Sequence, residues 1–147
     1  MQRHTQSLTI INGIIMDPDS HDGLLFGLSL SNKPTSGSRP DLTIRWSAVD
    51  GALFELTLCD IVASRFNDFM RGNVIFDFQV QNAHGMDDAD VAFLFGFGGP
   101  PKSENIPGLR LGVHGATALK IGASYGCEGI ALSRTPPSEW ICTRLDS

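Results

Sequence analysis

Apolar and polar residues alternate in twos along most of this chain, and that rhythm limits it to a fold of half-buried strands. Successive strand side chains point to opposite faces, whereas an amphipathic helix needs a period near 3.6. Leu8, Ile10 and Ile14 share one face of a first strand. From Asp22 to Leu30, Leu24, Phe26, Leu28 and Leu30 fall on one side and Gly23, Leu25, Gly27 and Ser29 on the other. Leu42, Ile44, Trp46 and Ala48 alternate with Thr43, Arg45 and Ser47, and after Asp50-Gly51 the pattern resumes in Ala52, Phe54, Leu56 and Leu58. Asp-Gly between two alternating runs marks a hairpin, because glycine accepts the positive φ of a tight turn. Asn73 to Gln81 places Val74, Phe76, Phe78 and Val80 inward and Asp77, Gln79 and Gln81 outward. A second hairpin is expected from Thr117–Ala123 and Cys127–Arg134 around Tyr125-Gly126, and a last edge strand from Trp140 to Thr143. Val91 to Phe97 is apolar on both sides and reads as a central strand or the end of a short helix. Only Ile61 to Met70 reads as helical, for one or two turns.

The expected fold is all-β: an antiparallel two-sheet sandwich or partly closed barrel of about nine short strands, with at most one or two short helical turns. At 147 residues it forms a single β-rich domain, residues 1–147. A chain of that length buries roughly 70% of its unfolded surface and needs neither disulfide nor metal to hold a core. Hydrophobic residues at 41% and charged residues at 18% exclude a disordered chain. Breaks fall at Ser31–Pro40, Asn82–Asp90, Gly98–Gly108 and Thr135–Ser138, and the first three are long enough to carry a binding surface.

Eleven basic against sixteen acidic residues give a net charge of −5, with no basic stripe of the kind that binds nucleic acid through its phosphates. Cys59, Cys127 and Cys142 are odd in number, widely spaced and without a zinc pattern, which fits reduced thiols in a cytoplasmic protein. Leu8 to Met16 resembles a short signal-peptide core, but Asn12-Gly13 interrupts it and Asp17-Pro18-Asp19 follows it. It is too short to span a membrane and is read as the first strand.

Candidate chemistry is sparse. Asp17 to Gly23 fails as a calcium loop, since Gly falls one place late and Leu28 stands where a glutamate is needed. Asp87, Asp88 and Asp90 form the densest acidic group; they read as a helix N-terminus or solvated loop, or as a docking patch for a basic partner. His4, His21, His84 and His114 show no metal spacing. There is no serine-nucleophile elbow, and Gly96 to Pro101 lacks the ending of a phosphate loop. Glu55 and Asp77 would pair only if their strands adjoin. No catalytic residue, metal ligand or cofactor is expected.

Three stretches occur together: His21-Asp22-Gly23-Leu24-Leu25-Phe26-Gly27, then Phe66 to Asp77, then Ser124-Tyr125-Gly126-Cys127. Their order and spacing resemble a group of small uncharacterised bacterial β-rich proteins with an HDG … NDFREGNIIFDV … SYGC pattern, over about residues 21 to 134. Met70 departs from that pattern. The resemblance implies a β fold and, as in some small bacterial proteins of this kind, an immunity protein that neutralises a toxin. Read from the residues alone, Asn67 or Asp68 would cap a turn, Gly72-Asn73 would feed the strand at Val74, and Arg71 would bridge backbone carbonyls or pair with Asp68 or Asp77. Whether His21, Asp22 and the Asn67–Asn73 segment are structural or functional stays open.

Three functions are compatible with these features. The first is a non-catalytic binding protein, an immunity protein contacting a toxin through Asp87, Asp88 and Asp90. The second is a small-molecule-binding barrel or cryptic enzyme, with Phe26, Trp46, Phe54, Phe76 and Phe78 lining a cavity. The third is a self-assembling subunit pairing through exposed edge strands.

Overall fold

The computed structural model describes residues 2–31, 39–67, 73–96, 99, 101–123 and 128–146. Eleven strands form one antiparallel, unclosed sheet: β1 Gln2–Gln6, β2 Thr9–Ile11, β3 Ile14–Asp17, β4 Leu24–Leu30, β5 Leu42–Ser47, β6 Leu53–Leu58, β7 Ile61–Asn67, β8 Asn73–Asn82, β9 Thr117–Ala123, β10 Glu128–Ser133 and β11 Ile141–Asp146. Two helices, α1 Asp88–Leu94 and α2 Ile106–Gly112, follow β8. The strand order is β1-β11-β6-β5-β4-β8-β9-β10-β7, with β3 on β8 and β2 on β3. Among the described residues no helix is long and apolar enough to cross a membrane.

The Asp50-Gly51 hairpin forms as expected and joins β5 to β6 in register, with Trp46 opposite Phe54 and Gly51 at φ 88°. The β9–β10 pairing also forms, while its turn lies outside the described residues. The first strand is a correction: Asn12-Gly13 does not merely interrupt it but reverses it. Both residues have positive φ, 52° and 76°, as a two-residue hairpin turn demands, so β2 folds back on β3.

A second correction concerns Ile61–Met70. Its described part is not helical but is strand β7, paired with β10. Ile61 and Phe66 belong to the main core, whereas Val62 and Ala63 pack towards the helices. A strand covered on both faces loses its alternation, which is why it imitates a helix. Val91–Phe97 resolves the other way, since residues 91–94 lie in α1. The expected count of about nine strands is exceeded because β2–β3 is a hairpin and polar β1 adds a strand. β1 also covers β11, so Ile141–Asp146 is an interior strand and not the expected edge.

The main core draws on strands far apart in the sheet order. Trp46 of β5 stacks on Phe54 of β6 at 5.5 Å between ring centroids and meets Phe78 of β8 edge-on at 5.0 Å. These three aromatics are buried and fill the core. A second cluster lies on the other face, where Val91, Leu94, Ile106 and Val113 cover Ile130 and Leu132 of β10.

Inside β8 the alternation breaks. Asn73 and Val74 pair with β4, whereas from Ile75 onward the strand pairs with β9, and a bulge between Ile75 and Asp77 leaves Phe76 as the extra residue. The expected inward set is therefore corrected at its start: Ile75 and Phe78 are fully buried and Phe76 is 53% exposed. One extra residue inverts the parity on one side of it. Phe78→Ala is expected to cost about 3–5 kcal/mol in urea unfolding, and Phe76→Ala under about 1 kcal/mol. Equal losses would contradict the bulge.

Candidate functional site

Chain from Ile14 to Leu25 runs antiparallel along one edge of β8. Ile14 lies opposite Gln79 at one end, and Leu24 and Leu25 lie opposite Val74 and Asn73 at the other. Between them the corner 18–23 is fastened to the bulge. Asp22 N donates to Ile75 O at 2.9 Å, and Ile75 N donates to Gly23 O at 2.8 Å. His21 Nδ1 donates to Phe76 O at 2.8 Å, giving a partner to a carbonyl that the bulge takes out of the regular ladder.

Local sequence supports this corner. Asp19 Oδ1 accepts from His21 N at 3.0 Å, an Asx turn. Asp22 sits in the left-handed region at φ 61°, which Asp tolerates better than most residues. Gly23 leaves no room for a side chain, since a Cβ there would stand 2.6 Å from Ser47 O and 2.9 Å from Ser20 O. Thus the first and second of the three motif stretches meet in space. The third begins one residue beyond Ala123, which pairs with Ile75 on the opposite edge of β8.

A cleft of about 370 Å³ opens at this junction. Met16, half exposed, and Phe76 give it apolar walls; Asp19, Asp77, Ser20 and His21 supply polar groups. The His21 ring meets Phe76 edge-on at 5.4 Å, and its Nε2 lies 3.6 Å from Asp22 Oδ2. The bond to the Phe76 carbonyl raises the His21 pKa above its usual 6.5, helped by the charge of Asp22 and then of Asp19 and Asp77. Ser20 is 1% exposed, and its hydroxyl has no partner among the described residues.

The acidic group at 87–90 has a different environment. Asp87 caps α1 by accepting from Asp90 N at 2.8 Å. Asp88 is 2.5 Å from Arg110 Nη2 of α2, and Asp90 is 3.0 Å from Lys120 Nζ of β9. Arg110 also donates to the carbonyls of His84 and Met86. Asp87 thus caps α1, while Asp88 fastens it to α2 and Asp90 to the sheet. His84 and His114 lie together beside them, with ring centroids 5.5 Å apart.

Other candidates separate. Two strands, β5 and β4, separate Glu55 of β6 from Asp77 of β8, and Glu55 instead binds Arg45 at 2.6 Å and Arg3 at 3.2 Å. Asp68, Arg71, Gly72, Tyr125 and Cys127 lie outside the described residues. Cys59 and Cys142 are buried, and burial, followed by the charge of Asp17, pushes the Cys142 thiol up to about 12. Sequence reasoning missed Met16, Ser20 and Phe76 as neighbours of His21. The available signal was that Phe76 lies within the second motif stretch, as His21 does within the first.

No family model, curated protein or solved structure matches this chain.

Two outcomes test the geometry. In an NMR titration His21 should show a midpoint above 6.5 that moves down in Asp22→Asn. Because the folded pKa is raised, its contribution to stability is complete below about 6.5 and is lost as pH rises through the folded value. A midpoint at or below 6.5 would contradict the bond to Phe76. Separately, Asp87→Ala should destabilise by about 0.5–2 kcal/mol through loss of the helix cap; an unchanged urea midpoint would contradict it.

Proposed function

We propose that this chain is a non-catalytic binding protein that neutralises a bacterial toxin by protein–protein contact, in the manner of an immunity protein. The observation that carries the reading is Phe76. A large aromatic is turned to solvent by a bulge, and its carbonyl is held there by His21. Met16 lies across the same cleft, also half exposed. Aromatic and Met side chains are enriched in protein interfaces, and paired exposed apolar groups rimmed by charge mark such surfaces.

The resemblance to small bacterial immunity-like proteins points the same way, because its first two motif stretches build this corner. We read the contact surface as the His21 cleft, with Asp87, Asp88 and Asp90 at most a flanking acidic patch, since each already has an internal partner. The three cysteines, odd in number and widely spaced, support a cytoplasmic setting. In the finer architecture we read the bent sheet as two packed layers, supported by the Trp46–Phe78 contact between β5 and β8.

The test is native mass spectrometry of the tagged protein purified at low salt from its own host. A stoichiometric second protein is expected. Met16→Ser combined with Phe76→Ser should weaken that complex by roughly 30-fold or more while the fold persists, as for interface hot spots. A complex indifferent to both substitutions, or no partner under any growth condition, would contradict the proposal.

A further inference from the structure

The cleft beside His21 has more specific chemistry than an apolar patch. Asp19, Asp22 and Asp77 surround a single imidazole, so three negative charges face at most one positive charge. The local field is therefore negative in either protonation state of His21, and the chain carries −5 overall. The Asp19 and Asp77 carboxylates line the cleft, where each accepts one bond through Oδ1, from His21 N and from Gln79 Nε2 at 3.2 Å. A carboxylate accepts about four hydrogen bonds, so both have capacity for further donors.

Ser20 is a second, independent observation. It lines the same cleft, and its buried hydroxyl, without a partner among the described residues, is a rare condition in a folded chain. The walls are Met16 and the exposed ring of Phe76. Among the described residues no group of three or more His, Cys, Asp or Glu side chains is arranged to hold a metal ion.

We propose that this cleft receives one arginine side chain of the partner protein, its stem along Met16, its guanidinium on the Phe76 ring and its N–H groups on Asp19 and Asp77. The inference rests on the protein-binding reading above and names the chemistry of the partner at that site. Arginine fits better than lysine because its planar cation stacks on an aromatic face and presents several fixed donors to carboxylates.

The test uses the isolated chain, so that it is independent of finding the partner. N-acetyl-arginine amide is titrated into 15N-labelled protein, with N-acetyl-norleucine amide as an uncharged probe with a similar stem. The arginine probe should give saturable shifts centred on His21, Phe76 and Asp77, with millimolar affinity, and the norleucine probe none. Asp19→Asn with Asp77→Asn should weaken binding by about fivefold, as for loss of two partly exposed charge pairs. The spectrum itself reports whether that variant is folded, and Asp19→Asn alone provides a second reading. Equal binding of both probes, or no localised shifts with either, would overturn the arginine site. A captured partner together with a silent arginine probe would refute this inference alone. A binding probe with no partner in the host would refute the function and leave the site.

Discussion

The edge of β8 between Asn73 and Gln79 sets the course of the chain on both sides of it. β4 leaves this edge after Asn73 and Val74, β3 joins it at Gln79, and the corner between them must satisfy the backbone groups exposed in the gap. Asp22 and Gly23 do so through the two backbone bonds to Ile75, and His21 does so with its ring on the Phe76 carbonyl. Buried or half-buried peptide groups left unpaired would cost about 1–3 kcal/mol each. The bulge also fixes which side chains enter the core, sending Ile75 and Phe78 inward and Phe76 outward.

That arrangement gives the His-Asp-Gly run a structural meaning and, under the proposed binding function, a functional one as well. His21 is needed for the corner, and its exposed ring also forms a wall of the cleft beside Phe76. Asp87, Asp88 and Asp90 differ in kind. Their oxygens hold α1 at its cap, to Arg110 and to Lys120, and α1 in turn covers β10 with Val91 and Leu94. Arg65 of β7 reinforces this by donating to Phe93 O at 2.5 Å and lying 4.8 Å from the Phe93 ring centroid.

Much of the sheet was legible in the chain because most strands have one buried face. Leu42, Ile44 and Trp46 alternate and are buried, and Asp50-Gly51 turns as its chemistry requires. Legibility failed where a second layer covers the strand or a bulge shifts its parity. Ile61 to Phe66 has apolar residues packed on both faces, the main core on one side and the helices on the other, and Phe76 breaks alternation through a single inserted residue. β1 was invisible because Gln2-Arg3-His4-Thr5-Gln6 carries no apolar signal and owes its place to pairing with β11. The cleft was hidden for a different reason: His21 and Phe76 are 55 positions apart, and only the fold joins them.

The central claim is that the His21 ring holds the bulge open through Nδ1. Long-range 1H–15N correlation of the imidazole, recorded above its titration, reports directly which nitrogen carries the proton. The Nδ1–H tautomer is expected, donating to the Phe76 carbonyl, with Nε2 left to accept. A ring protonated at Nε2, with Nδ1 bare, would contradict it and leave the bulged carbonyl without the partner on which this corner is built.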